Sequence, residues 1–317
     1  MFARFSQGRS PCSQAQWLCL VAKPSCAIGA IQKENHHYMF NRSRFRFIRY
    51  VLLSLMALVL TMVVAACDSG PTTTDTASPG ASPAAETTLK VALDPTFPPF
   101  QTQTGEGQFE GFDIDIMNAI ADAGGFTMEL QGLPFDGIIP ALQSGTMDAT
   151  MSTMTITAER AQVVDFSRPY FQSGLAIAVR EDNTDITSLE SLAGKSVAVQ
   201  IGTTGEIEAR SANPAEVRTF DSTPLALQEL ANGNVDAALS DAPVILYAIQ
   251  TGSVPGLKVA AELLADEFYG IATPKGSPNL ELINSGLSTI LENGTYTEIY
   301  QKWFGEEPPT LPEAAPI

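Results

Sequence analysis

Gly145-Thr146-Met147-Asp148-Ala149-Thr150-Met151-Ser152-Thr153 returns further along the chain as Gly233-Asn234-Val235-Asp236-Ala237-Ala238-Leu239-Ser240-Asp241. The shared frame is a glycine, a polar residue, an apolar residue, Asp-Ala, and a close on serine plus a second polar residue. Each copy follows a helix-like segment containing Ala-Leu-Gln. Two units of helix, glycine and strand, each strand ending in a polar pair, predict two similar α/β lobes. Ligands of open α/β sheets bind outside the carboxyl ends of strands. Ser152 and Thr153 from one lobe, and Ser240 and Asp241 from the other, are therefore expected to face one cleft.

Around these copies, strand-like and helix-like segments alternate over residues 88–306. LKVALD (89–94), FTMELQG (126–132), MDATMST (147–153), LAIAVR (175–180), SVAVQ (196–200), VDAALSD (235–241) and YGIATP (269–274) are short apolar runs at turn boundaries. Such runs suit a buried parallel sheet. FDIDIMNAIADAG (112–124), FDGIIPALQSG (135–145), PLALQELANG (224–233), APVILYAIQTG (242–252) and NLELINSGLSTILENG (279–294) read as helices, each with glycine at its end.

The chain has 317 residues and a formal net charge of −17. Residues 1–66 hold eight Lys or Arg and one acid, Glu34, so the remainder carries ten cations against 34 acids. That surface repels phosphates, which excludes nucleic acid as a partner. MFNRSRFRFIRY (39–50) is basic and VLLSLMALVLTMVVAA (51–66) is apolar. The apolar stretch is shorter than the ~20 residues of a spanning helix, which favours an export signal over a plain anchor. Its end, Val64-Ala65-Ala66-Cys67, resembles the bacterial lipobox, in which the cysteine is acylated and becomes the mature N-terminus. The resemblance implies an extracytoplasmic protein held to the membrane through lipidated Cys67.

Residues 1–38, with Cys12, Cys19 and Cys26, precede a complete signal and are read as a mis-called upstream extension. The expected organisation is then a signal peptide over 39–66, a Ser/Thr/Pro-rich linker over 67–87, and a Pro-rich tail over 307–317. One cysteine remains in the mature chain, so no disulfide is expected. His36 and His37 fall in the extension, so histidine-based catalysis is excluded, and no cofactor or metal is expected.

Arg160 closes STMTITAER (152–160). Thr157 is a good N-cap, which puts Arg160 in the first turn of a helix, where the macrodipole disfavours a cation. Arg160 is either a surface charge beside Glu159 or Asp165, or a fork for a carboxylate with Thr153 and Thr155 as added donors. Asp241 is either the N-cap of the helix that follows or, at a cleft-facing strand end, the holder of an ammonium. A buried zwitterion needs both kinds of partner. VAVQIGTTGE (197–206) runs from strand into helix, with Thr204 and free backbone N–H groups set for one carboxylate. It lacks the Gly-Lys-Ser/Thr of a nucleotide loop. Phe97, in a proline-stiffened loop, and Phe135, at an element edge, are either core or cleft aromatics. Asp94 ends the first strand and faces the same cleft edge.

GFDIDIMNAIADAG (111–124), STMTITAERAQVVDFSRPY, SVAVQIGTTGE and AALSDAPVILYAIQTG closely resemble the family 3 extracytoplasmic solute-binding proteins of amino-acid ABC importers, of which GFDIDI is a signature. The resemblance implies a two-lobed, type II periplasmic-binding fold. Residues 88–172 and 268–306 would form lobe 1 and 173–267 lobe 2, joined by two hinge strands near 170–174 and 265–269. It implies that Arg160, assisted by Thr155 and the backbone at Thr153, grips the ligand α-carboxylate together with the Thr204 backbone. Asp241 would hold the α-ammonium, Phe97 and Phe135 would enclose the side chain, and Asp94 would contact its polar end. LPFDGIIPALQ and the two phenylalanines look most like glutamine-type members. Gln200 stands where that subgroup has lysine, which points to a polar, uncharged or weakly charged side chain. The implied partners are the amino acid and a membrane permease, with the chain a monomer. The alternative is an enzyme on the same scaffold, similar to cyclohexadienyl dehydratases.

Overall fold

The computed structural model describes residues 87–317, apart from the side chains of 262–266. The extension, signal, Cys67 and nearly all of the linker lie outside the described residues.

The first lobe opens with β1 (Thr87–Leu93), a small antiparallel sheet of β2 (Thr96–Phe97), β3 (Gln101–Gln103) and β4 (Phe109–Glu110), and helix α1 (Phe112–Gly124). β5 (Phe126–Gly132), α2 (Phe135–Gln143), β6 (Ala149–Thr150) and β7 (Val164–Phe166) follow. β8 (Phe171–Arg180) carries the chain into the second lobe. That lobe contains β9 (Ser196–Gln200), α3 (Thr204–Ser211), β10 (Glu216–Phe220), α4 (Thr223–Ala231), β11 (Ala237–Asp241), α5 (Ala242–Thr251) and β12 (Leu257–Tyr269). The chain then returns through β13 (Ala272–Pro274), α6 (Asn279–Glu292) and α7 (Thr295–Phe304). The sheet orders are β5-β1-β6-β13-β7 and β10-β9-β11-β8-β12.

The repeated frame has a repeated structure. β6 lies beside β1 with Ala149 opposite Val91, and β11 lies beside β9 with Ala237 opposite Val197. Asp148 accepts the Lys90 N–H at 2.9 Å, and Asp236 accepts the equivalent Ser196 N–H at 2.8 Å. Gly145 and Gly233 make the helix-to-strand turn at φ 71° and 77°, a left-handed conformation that glycine adopts without cost from a Cβ.

Both sheets are mixed rather than parallel. β8 runs antiparallel to β11 and β12, and β13 antiparallel to β6 and β7. An apolar run reports burial on both faces, not strand direction, so LAIAVR and YGIATP could not reveal it. In β8, Leu175, Ile177 and Val179 enter one core layer with Val197, Val199 and Leu239, while Ala176 and Ala178 meet Leu227, Leu230 and Ile245 on the other face. The segment expected as a strand over 147–153 pairs only at Ala149 and Thr150, because Thr153 turns to φ 48°. The Pro-rich tail packs on lobe 1, with Leu311 against its core and Glu313 3.0 Å from Arg168.

Candidate functional site

The carboxyl ends of β1, β6, β9 and β11 converge on one cavity of about 290 Å³, counted out to solvent. Asp94, Phe97, Phe135, Thr153, Thr155 and Arg160 line it from the first lobe. Gln200, Thr204 and Asp241 line it from the second. All nine residues expected to touch a ligand thus lie around a single space. Ser152 lines it too, as expected of a cleft-facing strand end, while Gln101 and Thr203 line it and were not expected to. Gln101 faces the cavity from β3 in the small sheet, which carries no periodic signal in the sequence.

Arg160 is buried, but not in an α-helix. Thr157 accepts the Arg160 N–H through its hydroxyl at 3.2 Å, as a cap would, yet only a three-residue 3-10 turn follows. The expected macrodipole penalty therefore falls away, since so short a turn sums few peptide dipoles. The guanidinium donates to the Thr155 carbonyl at 2.8 Å and, across the cleft, to the Gly202 carbonyl at 3.0 Å, and lies 5.3 Å from the Phe135 ring centre. Asp165 pairs with Lys275 instead, and among the described residues no carboxylate forms a salt bridge with Arg160. Five N–H donors with two on carbonyls leave three for a ligand. Burial lowers its pKa, opposed by the charges of Asp241, Glu267 and Glu159.

Asp241 stands at the N-cap position of α5, yet its side chain makes no cap hydrogen bond. It accepts a short hydrogen bond from the Tyr269 hydroxyl, which is also 2.7 Å from Ser173 Oγ. Burial, then the charge of Glu267, pushes the Asp241 carboxyl up to about 7. Glu267, on β12, is a third acid that the sequence did not single out because its segment reads only as hinge. It is buried, its pKa is raised by desolvation, and its Oε2 has no hydrogen-bond partner.

Asp94 directly follows β1, with its N–H on Ser152 Oγ at 2.9 Å. Its Oδ1 accepts the Thr96 N–H and hydroxyl, and its Oδ2 accepts Gln200 Nε2 from the other lobe at 2.7 Å. Burial raises its pKa despite these bonds. Gln200 is fixed in turn by the Thr223 hydroxyl on its Oε1 at 3.0 Å. Ser240, expected to face the cleft, sits behind this pair and is 3.0 Å from Thr223 Oγ1. The Thr153 N–H points away from a ligand, toward Asp113 Oδ2 at 3.1 Å and Tyr170 Oη at 3.2 Å. Thr153 therefore lines the cavity without the backbone donor expected for an α-carboxylate, and its hydroxyl oxygen accepts Gln101 Nε2 at 3.4 Å. Thr203 caps α3 through Glu206, which leaves Thr204 as that helix's first residue.

Two mixed α/β lobes, crossed by paired strands and closing on a cavity lined by one guanidinium and two carboxyls, define a type II periplasmic binding protein. The chain belongs to the bacterial extracellular solute-binding proteins, family 3, which it matches over residues 89–306. It is 35% identical to the probable histidine-binding protein of Neisseria gonorrhoeae over 239 residues, covering 74% of this chain and 88% of that one. An ancestral arginine-binding protein bound to arginine is 45% identical, with TM-score 0.66 over 69% of this chain and 98% of its own. An ancestral arginine-binding protein bound to glutamine is likewise 45% identical, with TM-score 0.67 over 70% and 100%. The ancestral amino-acid-binding protein AncCDT-1, a precursor of cyclohexadienyl dehydratase, is 40% identical, with TM-score 0.63 over 68% and 95%. The family is extracytoplasmic, and among the described residues no helix is long and apolar enough to cross a membrane.

Proposed function

We propose that this chain is the substrate-binding lipoprotein of an amino-acid ABC importer, tethered through lipidated Cys67. It captures an L-amino acid between its lobes and delivers it to a membrane permease. The observation that carries this is a buried guanidinium with no carboxylate salt bridge among the described residues and a buried Asp241 contributed by the other lobe to the same cavity. A zwitterion supplies the missing charge to each. The α-carboxylate meets the free donors of Arg160 and the Thr204 N–H, while the α-ammonium meets Asp241 and the acceptors of Thr153 and Thr155. Contacts made from both lobes exist only when they close, so the ligand shifts the hinge equilibrium by its differential affinity.

The side chain runs toward Asp94. Among the described residues the partners of that buried carboxyl are neutral: Thr96, Gln200 and the Phe135 backbone. With the zwitterion paired off, Asp94 remains as a surplus acid in the cavity, which favours a cationic side chain over the glutamine-like one expected from the sequence. The arginine and histidine binders among its relatives support this preference. Calorimetric titration with the twenty amino acids tests it. Arginine, histidine or lysine should bind more tightly than glutamine, and heat from none of the twenty would overturn the function itself. The enzyme alternative draws on Asp241, whose elevated pKa suits a general acid. Its position between Tyr269 and the ammonium site suits holding instead, and no turnover of arogenate or prephenate is expected.

A further inference from the structure

GFDIDI opens α1, and the site as described above gives this motif no role. Its Asp113 is buried in the first turn of the helix, and its Oδ2 receives both the Thr153 N–H at 3.1 Å and the Tyr170 hydroxyl at 3.0 Å. The helix start is pinned beside the cavity. Phe112 N–H donates to the Pro99 carbonyl at 3.0 Å and Asp113 N–H to the Phe100 carbonyl at 2.9 Å. The next residue, Gln101, lines the cavity. A Cβ on Gly111 would fall 2.0 Å from the Phe100 carbonyl oxygen, so this approach admits only glycine.

Thr153 is one of two non-glycine residues at positive φ among the described residues, at 48°. A β-branched residue is disfavoured there because its side chain crowds the backbone. It stays only where its surroundings over-determine it. The restraint on its amide is the Asp113–Tyr170 pair. Tyr170 immediately precedes β8, one of the two strands that cross between lobes, and its own carbonyl accepts the Tyr296 hydroxyl at 2.8 Å.

We propose that Asp113 is a positioning residue for ligand capture. Through the Thr153 N–H it holds Thr153 in the left-handed conformation in which it lines the cavity, and through Tyr170 it ties that loop to the hinge. This rests on the amino-acid function proposed above. The rival is an Asp113 that merely stabilises lobe 1.

A double-mutant cycle separates the two. Kd for L-arginine is measured by calorimetry for wild type, Asp113→Leu, Thr153→Gly and the double variant. Leucine fills the aspartate volume without an acceptor. Asp113→Leu should weaken binding roughly tenfold when Thr153 is intact. In the Thr153→Gly background the loss should be less than about twofold, because glycine needs no holding at positive φ. An equal loss in both backgrounds overturns the proposal. If Asp113→Leu fails to fold, Asp113→Ala takes its place in the cycle. A ligand-independent readout guards against failure of the functional assignment. By NMR of the free protein, Asp113→Leu should strip hydrogen-exchange protection from the Thr153 amide and shift its φ, and an unchanged Thr153 amide overturns the proposal even if arginine is not the ligand.

Discussion

Acidification from about pH 8 to about pH 5.5 should weaken amino-acid capture roughly thirtyfold, through Asp241. In the ligand-free protein this carboxyl is held up at about 7, first by burial and then by the charge of Glu267, against the lowering effects of Tyr269 and Arg160. An ammonium is held by the carboxylate and not by the acid. Below the folded pKa each binding event must expel a proton, so affinity falls about tenfold per pH unit, while above it affinity is flat. A drop of roughly 1.5 pH units below that pKa gives the thirtyfold figure. The ligand's own α-groups titrate outside the window. Stability of the free protein runs the other way. An acid with a raised folded pKa binds more protons when folded, so its contribution is present below about pH 4 and is lost as pH climbs to about 7. Asp113, pushed up to about 7 by burial, adds to that trend. Calorimetry in buffers of different ionisation enthalpy counts the expelled protons. Nearly one per ligand is expected at about pH 6, and almost none at about pH 8.5. Affinity that is flat across the window, with no buffer dependence, would refute the role given to Asp241, and Asp241→Asn should abolish the slope.

Other consequences follow from single contacts. Arg160→Lys keeps the charge but loses the planar fork, and should cost about 2–3 kcal/mol of binding, read as a roughly 30- to 150-fold rise in Kd; undiminished affinity would remove Arg160 from the site. Gln200→Lys puts a cation where Nε2 now lies 2.7 Å from Asp94. It should therefore reverse the preference, with arginine weakened at least about tenfold and glutamine holding or gaining; an unchanged ratio of the two would show that Asp94 does not read the side chain. Gly111→Ala drives a Cβ to 2.0 Å from the Phe100 carbonyl oxygen. It should cost about 3 kcal/mol or more and lower the melting temperature by several degrees, whereas an unaltered melt would contradict the packing described for the start of α1.

Much of this was legible in the sequence, for reasons tied to particular residues. The repeated Gly–x–x–Asp–Ala frame is visible because each of its parts has a local job: a left-handed turn at glycine, and an aspartate returning to the neighbouring strand's backbone. Arg160 stood out because a cation sits where a helix start was expected, and Asp241 because an ordinary capping residue stands at a cleft-facing strand end where its carboxylate has a second use. The 3-10 turn at Arg160 was not legible, since Thr157 signals a start without specifying how far the helix runs. Strand direction in β8 and β13 was hidden by burial on both faces. Glu267 and Gln101 were missed because their importance comes from long-range placement, one on a crossing strand and one on a three-residue strand of a side sheet. The direction of the Thr153 N–H depends on Asp113, 40 residues earlier in the chain, and no local pattern carries that.

The central claim is that the cavity holds an amino acid by both of its α-groups. Calorimetry with L-arginine, its decarboxylated analogue agmatine and its deaminated analogue 5-guanidinopentanoate tests that directly, with the same comparison made for whichever amino acid binds most tightly. Arg160 requires the carboxylate and Asp241 the ammonium, so each analogue should bind at least about a hundredfold more weakly than the parent amino acid. Either analogue binding within about threefold of the parent would contradict the account.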